Sequence, residues 1–184
     1  MIANVTVIAE HSVGPLKDGS NILDLGCRGF LFTKALREMG HHVFSVDIDE
    51  LHEGAAYYQC AVSNYDGRAG IIHTNDPQGT RIGGGDAVPC YTLESLTKQF
   101  IGEKIWDLVK MDIEGSEYQV ILSMDKPLAK QLSIEFHCHV GTTEKQMREM
   151  ENKLKNLGYK AVSHKQSQQH GAGRNYWDSL FILN

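Results

Sequence analysis

The run Lys110-Met111-Asp112-Ile113-Glu114-Gly115-Ser116-Glu117 puts charge where a core strand should be apolar. It follows Ile105-Trp106-Asp107-Leu108-Val109, which reads as a buried strand, and precedes Tyr118-Gln119-Val120-Ile121-Leu122, which reads as the start of a helix. Strand alternation places Lys110, Asp112 and Glu114 on one side. A parallel strand covered on both faces is nearly continuous in apolar residues. Charges there are costly unless they lie at the strand's open end and meet each other or a ligand. Ligands of open α/β sheets bind just beyond the carboxyl ends of the strands. A second strand, Leu132 to His139, repeats the pattern, with Glu135, His137 and His139 on one face and Ile134, Phe136 and Cys138 on the other. An imidazole among carboxylates can remove a proton from an acceptor. His137 is expected as the general base because histidine ordinarily titrates near neutrality. Asp112 is expected at ligand or acceptor contacts, and Glu135 and Glu114 are expected to orient His137 or bind the acceptor. Glu135, His137 and His139, with Asp112 nearby, could also ligate a divalent cation. His-x-His on a strand is a weak signal alone, and no metal is assigned from it.

The elements that must position these groups begin with a nucleotide-type βαβ unit. Asn21-Ile22-Leu23-Asp24-Leu25-Gly26 reads as a strand entering a glycine turn. Phe30 to Met39 has helical spacing (Leu31, Ala35, Leu36, Met39), and Gly40 is a natural stop. His42-Val43-Phe44-Ser45-Val46-Asp47 reads as a second strand ending in an acid. A glycine after the first strand lets the backbone approach a ligand, and the next helix offers free N–H groups. An acid ending strand two can accept hydrogen bonds from ribose hydroxyls. The text Asp24-Leu25-Gly26-Cys27-Arg28-Gly29 is not the GxGxxG of a nicotinamide enzyme.

Tyr57 to Val62 reads as a third strand and Ile71 to Thr74 as a short one, after a turn at Asp66-Gly67. Residues 75–88, with Gly83-Gly84-Gly85, are expected to form a flexible loop that can cover a ligand. Thr92 to Phe100 reads as a helix. Thr143 and Gln146 can form a capping box for a helix whose apolar stripe is Met147, Met150, Leu154 and Leu157. Two final strands, Tyr159–Val162 and Ser179–Leu183, are expected to pair antiparallel.

At 184 residues the chain fits one domain, with residues 1–20 an N-terminal extension. A net charge of −5 argues against a general nucleic-acid binder. The four cysteines make no CxxC pair, which favours a reducing, cytoplasmic setting. No apolar run is long enough to span a membrane. Oligomeric state is not readable.

An acid just before the glycine turn resembles class I methyltransferases, in which it sits near the methionine amino group of S-adenosylmethionine. The order of motifs resembles the FkbM-type branch of that class. Asp24-Leu25-Gly26 resembles its first motif, Asp47 stands at its strand-two acid, and Ala61-Val62-Ser63 resembles the segment after its third strand. Val88-Pro89-Cys90-Tyr91-Thr92-Leu93-Glu94 is similar to its "VP…TLD" segment, with Glu94 in place of Asp. Leu108 to Glu117 is close to "LLKIDVEGAE", the most specific match, and Ile134-Glu135-Phe136-His137 is similar to its "EFH" strand. Where the family reads "DVGANIG", this chain has Cys27-Arg28-Gly29, with the second glycine one place early.

The resemblance implies a Rossmann-like α/β fold: a mostly parallel seven-stranded sheet, helices on both faces and a C-terminal antiparallel strand pair. It implies S-adenosylmethionine bound by Asp24, Gly26, Cys27, Arg28, Gly29, Asp47, Ile48, Ala61, Val62 and Asp112, with Arg28 available to the methionine carboxylate. It implies O-methylation of a hydroxyl on a sugar, glycan or natural product. The alternatives are methylation of RNA or protein, and a module of the same fold that binds without turnover.

Overall fold

The computed structural model describes residues 4–50, 56–73, 80–137, 143–167 and 176–184. The chain opens with a hairpin of β1 (Thr6–Ile8) and β2 (His11–Val13). β3 (Asn21–Leu25), α1 (Leu31–Glu38) and β4 (His42–Asp47) follow as the expected βαβ unit. Next come β5 (Tyr58–Gln59), β6 (Ala61–Ser63), β7 (Gly67–Ile72), β8 (Arg81–Thr92) and α2 (Leu93–Ile101). The last third holds β9 (Leu108–Met111), α3 (Glu117–Ser123), β10 (Gln131–His137), α4 (Glu144–Asn156), β11 (Tyr159–Ser167) and β12 (Tyr176–Leu183).

Seven strands form the main sheet in the order β11-β12-β10-β9-β3-β4-β5. β10, β9, β3, β4 and β5 run parallel, and β12 pairs antiparallel with both β10 and β11. From β3 the chain steps outward to β4 and β5, then returns to β9 on the other side. That reversal makes a crevice at the carboxyl ends of β3 and β9, where such sheets bind ligands. One face packs Ile22, Val43 and Leu108 against Phe32 and Leu36 of α1 and against Val13 of the hairpin. The other packs Leu23, Leu25, Val109 and Met111 against buried residues of α2, α3 and α4. Among the described residues, no helix is long and apolar enough to cross a membrane.

Four local expectations change. The apolar stripe expected on α1 is misplaced: Leu31 and Met39 are exposed, whereas Phe32, Thr33 and Leu36 are buried. The helix starts one residue late, at Leu31, after a 3-10 turn at Arg28–Phe30 in which Gly29 (φ 72°) and Phe30 (φ 56°) are both left-handed. The single strand expected over Tyr57–Val62 is divided between two sheets: Tyr58 and Gln59 pair with β4, and Ala61–Ser63 pair with β8. The strand expected over Ile71–Thr74 is β7, which begins at Gly67; Thr74 lies outside the described residues.

The fourth change concerns the expected loop at 75–88. Residues 74–79 lie outside the described residues, but 81–88 belong to β8, which pairs with β6 and β7 in a three-stranded sheet. The glycine run serves close packing rather than freedom. A β-carbon on Gly85 (φ 110°) would press on the Ile71 carbonyl oxygen, beside the bulge between Gly70 and Ile71. Glycine in a strand often marks such a bulge.

Candidate active site

Asp24 and Lys110 are the first pieces of the site. They are register neighbours on β3 and β9, one residue short of each strand's end, and both are buried. Lys110 Nζ lies 3.3 Å from Asp24 Oδ1 and 3.4 Å from Asp112 Oδ2, and donates to the Gly26 carbonyl at 2.6 Å. The other oxygen of Asp24 accepts from Thr33 Oγ at 2.6 Å, which is why a polar residue is buried on α1. Burial alone would make the lysine easier to deprotonate. The charges of Asp24 and Asp112 outweigh it and hold the ammonium above its usual range. Burial likewise works against the Asp112 carboxylate, but Lys110, His11 and His137 hold it well below the usual carboxylate range.

A cavity of about 660 Å³ opens at this point, lined by every residue expected from the sequence to bind S-adenosylmethionine and by Asp112, Glu114, Glu135 and His137. One wall is the β3–α1 turn with Asp24, Gly26, Cys27, Arg28 and Gly29. Asp47 and Ile48 at the end of β4, with Ala61 and Val62 of β6, form the far side. Asp112, Glu114, Glu135 and His137 form the floor. The volume falls within the range of about 300–1,000 Å³ typical of small-molecule sites.

Gly26 carries the shape of the turn. Its φ is 77°, and a β-carbon there would overlap the Asp112 carbonyl oxygen. Arg28 reaches across the turn to Asp49, with Nη1 3.5 Å from Oδ2, rather than standing free for a carboxylate ligand. Burial pushes the Asp47 carboxyl up to about 6; the Asp49 N–H bonded to it at 3.0 Å opposes this, and the Asp49 charge adds to it. Burial, then Asp24 and Asp47, push the Cys27 thiol far above its usual range, so it is a packing group and not a nucleophile.

The floor differs from expectation in how His137 is held. Its ring is 1% exposed, and its partner is Glu117, with Nδ1 2.9 Å from Oε1. Glu135 lies on the other side of the ring, with Oε2 3.8 Å from Nε2. Burial favours the neutral ring, but Glu117, then Asp112 and Glu114, overcome it and push the pKa up to about 10. The surrounding acids thus favour the charged ring, unlike the free imidazole on which the general-base expectation rests. Burial and the Asp112 charge push Glu135 up to about 8, with His137 and Lys110 opposing. His139 lies outside the described residues.

Sequence reasoning missed three contributors. His11 of the hairpin lines the cavity, 3.7 Å from Asp112 Oδ2. Glu117 is wholly buried in the first turn of α3 and also accepts the Ile113 N–H at 3.0 Å. Thr80, Arg81 and Ile82 bring the small sheet over the cavity. Only Glu117 left a sequence signal, as a fourth charge in the run beginning at Lys110.

This topology, glycine turn and strand-two acid define a Rossmann-like α/β protein with its site at the sheet's switch point. The family profile for the Methyltransferase FkbM domain matches residues 29–161, and the chain belongs to that family of methyltransferases. Solved structures share the fold at low identity. The Methanococcus jannaschii fibrillarin pre-rRNA processing protein matches with TM-score 0.54 and 13% identity, over 94% of this chain and 70% of that one. The 1,6-didemethyltoxoflavin-N1-methyltransferase of Burkholderia thailandensis matches with TM-score 0.50 and 15% identity, over 91% and 72%. No curated protein matches the chain.

Proposed function

We propose that the chain is an S-adenosylmethionine-dependent O-methyltransferase acting on a hydroxyl of a sugar, glycan or natural product. The observation that carries this reading is the single cavity that joins the glycine turn and Asp47 to a floor of carboxylates and an imidazolium. The cofactor fits two features of the chain. Asp24 presents a buried carboxylate to the cavity, and a ligand's amino group would share it with the Lys110 ammonium 3.3 Å from its Oδ1. Gly26 lets the turn lie directly against the Asp112 backbone, an approach that any side chain would block.

In this reading Asp24 receives the methionine amino group and Asp47 the ribose hydroxyls, while Ile48, Ala61 and Val62 flank the base. Bound S-adenosylmethionine supplies a methyl group already on a good leaving group. The protein has only to align the acceptor oxygen and take its proton. Asp112 and Glu114 orient the acceptor hydroxyl, and Glu135 in its ionised form, favoured toward alkaline pH, accepts the proton. His137 and Lys110 keep the neighbouring carboxylates compensated. A floor of acids suits a neutral polyhydroxylated acceptor better than a phosphate-rich one, whose backbone seeks cationic side chains.

Calorimetry with S-adenosylmethionine, S-adenosylhomocysteine and NAD tests the cofactor, and labelled methyl transfer to a panel of sugars, oligosaccharides and hydroxylated natural products tests the acceptor. Binding of NAD but not S-adenosylmethionine would overturn the reading. Methyl incorporation into RNA or protein alone would move the acceptor class. Cofactor binding with no transfer to any acceptor would favour the non-catalytic module.

A pH dependence follows from Asp47. Ribose hydroxyls donate to the carboxylate, so binding requires the ionised form. With the free carboxyl near 6, affinity for S-adenosylmethionine is expected to be level above pH 6 and to fall as pH drops, by about tenfold per unit once well below it. Asp47→Asn should lower the affinity at pH 7 and flatten the profile. Calorimetry between pH 5 and 7 checks this, and an unchanged slope in the variant would remove Asp47 from the role.

A further inference from the structure

We propose that Asp112, Glu114, Glu135 and His137 form a divalent-cation site on the cavity floor, of the oxygen-rich kind that suits Mg²⁺ or Mn²⁺. His137 Nε2 lies 3.5 Å from Asp112 Oδ1 and 3.8 Å from both Glu114 Oε2 and Glu135 Oε2. One donor atom from each of Asp112, Glu114 and His137 falls within 4.8 Å of the others. Neighbouring ligands of an octahedral ion with bonds of about 2.1 Å stand about 3 Å apart. The pairs at His137 exceed that spacing by about 0.5–0.8 Å, which modest side-chain shifts would close.

Two features separate this group from an ordinary acidic cluster. Its nitrogen donor is a wholly buried imidazole directed at the three carboxylates. That ring is also fixed from behind, because Glu117 holds Nδ1 at 2.9 Å and is itself pinned by the Ile113 N–H at 3.0 Å. A carboxylate behind a histidine is the usual support of a metal-ligating ring. Lys110 does not block the position, since it approaches Asp112 at Oδ2 and leaves Oδ1 toward His137. The ion takes the place of the Nε2 proton as the positive charge that the carboxylates surround. The set differs from the one read in the sequence, with Glu114 standing where His139 was considered. On the methyl-transfer reading, on which this use of the ion rests, the cation would hold the acceptor hydroxyl and lower its pKa.

The test uses the full chain, stripped with EDTA, dialysed and titrated with Mn²⁺, with free ion followed by electron paramagnetic resonance and Mg²⁺ as competitor. One Mn²⁺ per chain is expected. Glu114→Gln, an isosteric change in a half-buried loop, should weaken uptake by about tenfold or more. Glu117→Gln, which touches no ion, should weaken it by about 10–100-fold by releasing the ring. Thermal melts of each variant separate lost ligation from lost folding. No uptake at millimolar Mn²⁺, or uptake unchanged in both Glu114→Gln and Glu135→Gln, would overturn the site. Calorimetry with S-adenosylmethionine on the same samples keeps the two readings apart. Mn²⁺ uptake without cofactor binding would sink methyl transfer and leave the cation site standing, and cofactor binding without Mn²⁺ uptake would do the reverse.

Discussion

Gly26→Ala is expected to leave the protein without measurable affinity for S-adenosylmethionine. The residue has φ 77°, and its β-carbon would overlap the Asp112 carbonyl oxygen. Adopting the left-handed conformation costs alanine about 1–2 kcal/mol, before any overlap is relieved. Relief requires the turn to move away from β9, and that turn is tied down on both sides. The Gly26 and Cys27 N–H groups bond the Val46 carbonyl at 2.9 and 3.2 Å, and the Asp112 N–H bonds Leu25 at 3.1 Å. Lys110 holds the Gly26 carbonyl. A loss of about 2–4 kcal/mol in stability is expected from the strain and the broken hydrogen bonds. Cofactor affinity should fall steeply, since the turn that lines the cavity is displaced from the position that holds the ligand. Gly29→Ala is the control. It too is left-handed, at φ 72°, but nothing lies within 4 Å of its added carbon. It should cost only the conformational term in stability. Calorimetry and urea denaturation of both variants decide the matter; equal damage at the two positions would show that steric approach at Gly26 is not what shapes the turn.

The parts of the site legible in the sequence were those where a residue type contradicted its element. Lys110 and Asp24 are charges inside strands, and only a strand end facing a ligand or a partner explains them. Asp47 and the glycine turn were legible because the βαβ unit is local, with its parts close in sequence. Contacts between distant segments could not be read. Nothing in residues 1–20 announces that a hairpin carries His11 to Asp112, because that depends on where β2 docks. The exposure of Leu31 and Met39 could not be foreseen either: burying Thr33 for Asp24 and Ser45 sets the helix's rotation, and those partners come from two strands. Gly83–Gly85 looked mobile because composition reports local freedom and not the pairing with β7 that removes it. The protonation of His137 depends on carboxylates contributed by α3, β10 and the segment after β9, so the ordinary value for histidine was a poor guide.

Lys110→Met is expected to destabilise the fold by about 3–5 kcal/mol at neutral pH, the usual cost of removing one partner from a buried ion pair. Methionine fills a similar volume, so packing contributes little and the electrostatic effect stands nearly alone. The lysine side chain is 4% exposed and compensates Asp24, which is fully buried, as well as Asp112. Its loss also leaves the Gly26 carbonyl without its strongest donor. The pH dependence distinguishes this account from a packing defect. In the parent, the Asp112 carboxyl is held below its usual range. Its contribution is therefore complete above the unfolded carboxylate value of about 4 and is lost as pH falls through the folded value. In the variant, burial is no longer outweighed by Lys110, and the carboxyl moves upward. A raised carboxyl favours the fold at low pH, so the difference between variant and parent should narrow as pH drops from 7 to 5. Lys110→Met combined with Asp24→Asn removes one stranded charge while keeping an acceptor for Thr33, and should recover about 1–3 kcal/mol. Urea denaturation of the three proteins at several pH values measures both effects. A Lys110→Met variant within about 1 kcal/mol of the parent at pH 7, or a deficit that does not change with pH, would mean that the carboxylates are compensated by something other than this lysine.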